Sequence, residues 1–429
     1  MLRWLAVAIL LVGLLGFPSV PARAQAPTAP APTAPAPQAP APEAAAPEAP
    51  TPLPGIPIPP TGGAAILVGA SPGWYLIPSF RLTEEFDDNI FATSEQRQWD
   101  FISRFSPGLA GGYRSEPFTL LLSGGFDAEV LARHPELNDA VSGWHVGLDA
   151  LYLPIRPLAF GLTFAYIETN TTSTLPLPVG IAPTVIAPAT VLEFGRKRAT
   201  FLTASPSAAY QFTPRTYATA TYTYTHDTFE DGVSTTAHSP GLRLSHQLTS
   251  LDTVTLGYRV AIYEFEGSDT TTSHIPTVGW TRLLTPQTKL ILEGGPRFSD
   301  GDVGPEVSAR LEQDFRLAKL ALGYARSQGF ILGQPGIVTT ETYLGSIAVE
   351  PVKSLLVSVA PTITKISGDQ TLDTNFYELV ATASYPILRW LTARATYRFG
   401  YQKQLGAGDI LRNVFSVSLE AAYPYRVGQ

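Results

Sequence analysis

From about Tyr75 to Tyr425 the chain alternates apolar and polar residues in short stretches broken by turn chemistry, almost without interruption. Across 253–262, Val254, Leu256, Tyr258, Val260 and Ile262 share one parity, while Thr253, Thr255, Gly257 and Arg259 share the other. A side-chain period of two is that of a β-strand. Phe160, Leu162, Phe164 and Tyr166 alternate in the same way with Ala159, Gly161, Thr163 and Ala165. So do Leu391, Ala393, Ala395, Tyr397 and Phe399 with Thr392, Arg394, Thr396 and Arg398. A soluble sandwich buries one face of each strand between two sheets, and its polar positions would not be so rich in Gly, Thr and Ser. An apolar outside and a wet inside, repeated strand after strand, is the pattern of a transmembrane β-barrel.

The chain holds 18 Tyr, 21 Phe and 36 Gly against only 15% charged residues, which fits such a barrel. Its mean hydropathy of +0.09 is neutral, because each strand averages a lipid face against a water face. Arg3, the apolar run Leu5–Phe17 and Ala22-Arg23-Ala24 read as an export signal cleaved before Gln25. No later stretch has eighteen consecutive apolar residues, so no membrane helix is expected. The absence of cysteine suits export without disulfides. After cleavage 27 basic residues face 36 acidic ones, a net of −9, which gives no support for nucleic-acid binding.

Residues 25–60 repeat Ala-Pro-Thr and Ala-Pro-Glu units. Proline at this density holds a chain extended and prevents a packed core. A disordered periplasmic linker is expected over 25–73, with a reach on the order of 100 Å at about 3.1 Å per residue. The barrel is expected over 74–429. Eight short turns punctuate it: 114–117, 154–157, 213–216, 250–252, 285–288, one near Leu317, 351–353 and 388–389. Longer polar connections lie near 87–98, 133–139, 170–198, 230–236, 267–272, 300–302, 333–336, 368–373 and 405–409. Eight short turns and nine longer connections give about eighteen strands, with both ends on the short-turn, periplasmic side. Trp74, Tyr75, Tyr113, Tyr152, Trp390, Tyr423 and Tyr425 lie near strand ends, where interfacial girdles form.

The charges that share parity with the small residues are the candidate lumen wall. They are Asp100, Arg104, Asp127, Asp149, Arg243, Arg259, Lys289, Glu293, Arg297, Glu306, Arg310, Glu312, Asp314, Arg394, Arg398, Arg412 and Glu420. On the lipid face each Arg or Lys at mid-depth would cost about 2–4 kcal/mol. Both signs occur, most densely from Lys289 to Asp314, so the set reads either as salt bridges that keep a wide barrel round or as a mixed-charge channel wall.

The connection 170–198 is long and carries an apolar, proline-rich centre at 175–183, a candidate for folding across the mouth. Signals for catalysis are weak. Gly69-Ala70-Ser71-Pro72-Gly73 matches a nucleophile elbow but precedes the first strand. The six histidines lack metal spacing, and His226-Asp227 is the nearest approach to a catalytic pair. The acidic run 84–89 offers carboxylates for a divalent ion at the lipopolysaccharide level, or simply a solvated strand end. No enzyme activity, cofactor or resident metal is expected.

The segments 82–91 (LTEEFDDNIF), 100–103 (DFIS), 106–109 (SPGL) and 412–419 (RNVFSVSL) together resemble the outer-membrane β-barrel porins that accompany exopolysaccharide or capsule export systems. The resemblance implies an outer-membrane barrel of about this strand number, without catalytic residues. It also implies a conduit for secreted polysaccharide, with a periplasmic export protein as partner. Such barrels end on an aromatic residue read by the insertion machinery, whereas here Arg426–Gln429 follow Tyr425. The expectation is therefore an all-β, antiparallel up-and-down barrel of about 18 strands, in contact with outer-membrane lipid and lipopolysaccharide. It would serve as a porin-like channel for polysaccharide or hydrated solutes. The alternatives are a general small-solute pore and a structural barrel plugged by its own loops.

Overall fold

A computed structural model describes residues 71–170, 189–190, 195–368, 371–404 and 408–427. The export signal, the proline-rich linker and the apolar centre of the 170–198 connection lie outside the described residues.

The first strands are β1 (Gly73–Asp87), β2 (Asp100–Arg114), β3 (Phe118–Leu131), β4 (Asp139–Ile155) and β5 (Leu158–Thr169). A two-residue β6 (Ala189–Thr190) precedes β7 (Ala199–Thr213), β8 (Thr216–Phe229), β9 (Thr235–Gln247) and β10 (Asp252–Phe265). There follow β11 (Thr271–Thr285), β12 (Thr288–Ser299), β13 (Asp302–Asp314), β14 (Ala318–Ile331) and β15 (Ile337–Val352). The last are β16 (Leu355–Gly368), β17 (Thr371–Leu388), β18 (Leu391–Gln404), β19 (Ile410–Ala422) and a short β20 (Tyr425–Val427).

Apart from β6 and β20, each strand pairs antiparallel with its neighbours in the chain, with β5 passing directly to β7. β1 then pairs with β19, from Ser79↔Ala422 to Asp87↔Val414. That seam closes eighteen strands into one barrel, and closure removes the free edges that lipid would not tolerate. β20 continues the seam in the same register, Leu76↔Tyr425 to Trp74↔Val427, beyond the proline at 424. Tyr425–Val427 are thus part of the wall.

Three of the short turns are fixed by threonine. In the β7–β8 turn the Arg215 N–H donates to Thr213 Oγ1 at 3.2 Å, and in the β11–β12 turn the Gln287 N–H donates to Thr285 Oγ1 at 3.2 Å. Thr249 Oγ1 accepts from the Leu251 and Asp252 N–H groups in the β9–β10 turn. Hydroxyls placed in this way replace a backbone partner and fix a hairpin. One connection read as long is a tight hairpin. Ser299 pairs with Asp302, and Asp300 and Gly301 have φ of 42° and 93°. Two successive positive φ values are the Asp-Gly solution to a two-residue turn.

The large exposed apolar side chains fall on one parity: Leu242, Leu256, Tyr258, Val278 and Leu322 among them. Trp74 and Tyr113 meet on this face at 4.7 Å between ring centres, as do Tyr423 and Tyr425 at 4.6 Å. Tyr75 does not join this girdle. It has the other parity and packs on buried Ile77, Ala110 and Leu121.

Candidate functional site: the barrel interior

Side chains from strands that are not neighbours can meet only on the concave side of a curved sheet. Arg243 of β9 reaches Glu293 of β12, and Arg259 of β10 approaches Glu306 of β13. These contacts identify the charged parity as the inside and the apolar parity as the outer face. The ladder places the seventeen charges named above on the inside parity, but their surroundings divide them in two.

The first group ties neighbouring strands together from β17 through the β1–β19 closure to β5, and most of it is buried. Arg412 Nη2 donates to Asp87 Oδ2 at 2.5 Å and its Nε to both carboxylate oxygens at 3.1 Å, with side chains 2% and 0% exposed. Arg104 donates to Glu129 Oε1 at 2.8 Å and lies 3.6 Å from Glu85, while Glu129 also takes Arg196. Arg81 pairs with Glu420 at 3.3 Å, and Arg398 with Glu378 at 2.6 Å. Asp149 is buried and accepts from Thr163 Oγ1 at 3.1 Å. Asp127 accepts from Ser106. Asp100 is consumed by the β3–β4 connection: its carboxylate accepts the N–H groups of Phe101, Arg133 and His134, and meets His134 Nδ1 at 2.7 Å. These carboxylates act as staples between strands, and Asp87, Asp100, Arg104, Asp149 and Arg412 face almost no water. Arg394, exposed, lines a pocket of about 230 Å³ with Arg81, Arg104 and Arg398.

The second group meets water. Arg243, Arg259 and Arg310 have side chains 50%, 41% and 51% exposed. Arg243 Nη2 donates to both oxygens of Glu293, at 2.8 and 3.0 Å, and Arg310 lies 2.7 Å from Glu312. Lys289 is 3.7 Å from Glu312 and Asp314 pairs in register with Lys319, whereas Arg297, 3.9 Å from Glu306, is buried together with it in the wall of the basin. Arg243, Arg259, Glu293 and Glu306 line a cavity of about 430 Å³ floored by threonine and glycine. Exposed pairs of this kind contribute little stability, so their consequence is the local field. Arg243→Gln leaves Glu293 its Thr277 hydrogen bond but no cation, and the K⁺/Cl⁻ permeability ratio is expected to rise about two-fold. A reversal potential unchanged in a salt gradient would place this basin off the ion path.

Above the basin the wall turns inward. β13 and β14 pair only from Asp314↔Lys319 to Val307↔Arg326. Beyond Arg326, β14 leaves the wall with the start of β15, still paired to it as far as Phe330↔Ile337. Gln328 replaces the lost ladder: its N–H donates to Glu306 Oε1 at 3.1 Å, its Nε2 to Ser299 Oγ at 3.1 Å, and its Oε1 accepts from Ser273 Oγ at 2.5 Å. Phe330, 0% exposed, packs on Ala237, Ala261, Tyr263, Phe265 and Ile275 of β9–β11, with Tyr263 and Phe265 edge-on at 6.0 and 6.3 Å. Ile331 packs on Val338 and Ile366, and Leu332 on Ile167, Ala199 and Phe201 of β5 and β7.

Val233 N–H donates to Gly333 O at 3.0 Å. Gly333 has φ of 76°, and a Cβ there would meet the Phe229 ring, so only glycine suits this crossing. The hairpin tip therefore spans the interior from β16 to β5. Ala189–Thr190, a described piece of the long connection, pairs in parallel with Phe330–Ile331. Sequence periodicity treated 318–332 as ordinary wall. The signal it passed over is Phe330-Ile331-Leu332, three apolar residues without alternation between Gly329 and Gly333.

The weaker motifs come apart. Cross-strand register puts His226 opposite Thr236 and Asp227 opposite Thr235, so the two side chains lie on opposite faces of β8. The carboxylates of 84–88 also diverge: Glu84 accepts from Ser103, Glu85 faces Arg104, Asp87 holds Arg412, and Asp88 accepts from Asn413. Among the described residues no His/Cys/Asp/Glu cluster could hold a metal.

No protein-family model and no curated protein matches the chain. Among solved structures it is similar to OccAB4 of Acinetobacter baumannii, at 9% identity and a TM-score of 0.46 over 83% of this chain and 99% of that one. It is similar to the outer membrane protein OpdK of Pseudomonas aeruginosa at 10% and 0.47, over 82% and 99%. It is similar to the siderophore receptor PirA of Pseudomonas aeruginosa at 9% and 0.43, over 81% and 80%.

Proposed function

We propose that the protein is an outer-membrane channel for small hydrated solutes, narrowed by the β14–β15 hairpin. A closed barrel with an apolar outer face is an outer-membrane architecture, and one of this strand number encloses room for water. The observation that carries the reading is the tip of the hairpin, with Phe330, Ile331 and Leu332 buried against the inner wall on several sides. A conduit for a secreted polysaccharide requires a lumen that a polymer can thread, and this crossing opposes it. The polysaccharide role expected from the family resemblance is accordingly the less favoured one. The mixed charges of β9–β13 give a wall that wets without strong ion selectivity.

Liposome swelling tests the reading. Mono- and disaccharides are expected to enter, and oligosaccharides of five or more units to be excluded. Entry of long oligosaccharides at a comparable rate would restore the conduit. Absence of swelling with every sugar, together with absence of conductance, would make the protein a plugged barrel.

A further inference from the structure

The lipid-facing parity should carry charge only where it reaches headgroups, since a cation at mid-depth costs about 2–4 kcal/mol. Among the described strand residues, four cations have that parity. One, Arg282, lies at the short-turn rim beside Asp252, 3.3 Å away. The other three are Arg326, Lys365 and Lys403, and they share a single cross-strand row. Register runs Arg326↔Glu341, Glu341↔Lys365, Lys365↔Asn375 and Asn375↔Lys403 across β14–β18.

Two residues nearer the middle of the barrel lies a second row: Tyr324↔Tyr343, Tyr343↔Ile363, Ile363↔Tyr377 and Tyr377↔Tyr401. Tyr324 and Tyr343 meet at 5.0 Å, and Tyr377 and Tyr401 stack at 5.9 Å. Below these come Leu322, Pro361, Leu379 and Phe399, all apolar. Tyrosine belts mark the membrane interface, so the charged row sits at headgroup height, about 7 Å further out. Within the strands, outward charges elsewhere on this rim are acidic: Glu84 on β1, Glu168 on β5 and Glu264 on β10. Off the strands, Arg198 is paired with Glu168 at 3.3 Å and Arg133 lies over Trp99, so the strand cations are gathered on one sector.

Within the row Glu341 is taken by Arg326 at 3.0 Å. Lys365 and Lys403 are exposed and form no salt bridge with any described carboxylate, and Lys365 Nζ lies 5.8 Å from the Tyr343 ring centre. Two strand spacings put their backbones about 10 Å apart. Two free ammonium groups over a tyrosine shelf, with a guanidinium beside them, fit a phosphorylated sugar whose acyl chains lie along the apolar wall below.

We propose that the β14–β18 face is a binding site for the phosphates of lipid A in the outer leaflet, with Lys365 and Lys403 as the direct ligands and Arg326 flanking them. This rests on the outer-membrane reading, which sets the long-connection rim outward. The probe is bisphosphorylated lipid A, added to the detergent-solubilised full-length protein and counted by native mass spectrometry. Wild type is expected to hold it, and Lys365→Gln/Lys403→Gln to bind it about ten-fold more weakly. Lys365→Arg/Lys403→Arg is expected to retain it. Enzymatically dephosphorylated lipid A should bind wild type and the Gln variant alike, and inorganic phosphate should not displace the lipid.

Equal retention by wild type and the Gln variant would overturn the site, as would loss of binding in the Arg variant. Displacement by inorganic phosphate would reduce it to a free-anion site and overturn the lipid assignment. Because these side chains lie outside the lumen, single-channel conductance of both variants should match wild type. A plugged barrel would show itself as zero conductance in every protein while lipid A retention still depended on Lys365 and Lys403.

Discussion

Deleting Phe330–Gly333 is expected to raise single-channel conductance several-fold, the largest functional change any local edit should produce. Conductance follows the narrowest cross-section, and eighteen-stranded barrels without an inward crossing leave an aqueous channel. The deletion spares the wall below it, because β14 stays paired to β13 up to Val307↔Arg326 and to β15 along its lower length. A gentler variant separates size from anchoring. Phe330→Ala keeps the length of the hairpin but removes the ring held between Tyr263 and Phe265. Truncation of a buried Phe costs about 3–5 kcal/mol, enough to loosen a hairpin tip while the barrel remains folded. Its currents should become noisier, with openings toward the level of the deletion. Planar-bilayer recordings check both, and a deletion variant with wild-type conductance would show that the hairpin does not limit the path.

The largest effect on stability is expected at the seam. Asp87→Ala leaves the Arg412 guanidinium, 2% exposed, without its bidentate partner. Removing one member of a buried ion pair costs about 3–5 kcal/mol, because the remaining charge stays desolvated. The pair also sits where β1 meets β19, so its loss weakens the one contact that depends on the two ends of the barrel finding each other. Urea unfolding followed by tryptophan fluorescence should show a lower midpoint, corresponding to a loss of unfolding free energy of that size. The double variant Asp87→Leu/Arg412→Met, which removes both charges, should recover most of the loss. If the single variant unfolds with the wild-type midpoint, Asp87 is not what stabilises Arg412.

The two groups of interior charge show how far a sequence reading can reach. Arg243 and Arg412 both occupy inward positions of a period-two ladder, and nothing in their neighbours separates them. Yet one faces water and the other is sealed against Asp87. The difference depends on what lies opposite, 325 residues away in the chain for Arg412. Arg81, Glu85 and Asp87 on the seam strand β1, and Glu129 on β3, carried no distinguishing signal beyond parity. Asp100 had the right parity, but its carboxylate is taken by the backbone of the β3–β4 connection.

By itself, then, the sequence determined the class of fold, the strand count and the two faces. Those properties are local: side chains alternate every second residue, lipid penalises each misplaced charge, and threonine and glycine mark the turns. The tertiary structure decided which inward charges meet water, and that Phe330, Ile331 and Leu332 leave the wall to cross the interior. It also aligned Arg326, Lys365 and Lys403 in one row. Each of these depends on register between strands and on closure at β1–β19, which bring together residues that no local period can relate.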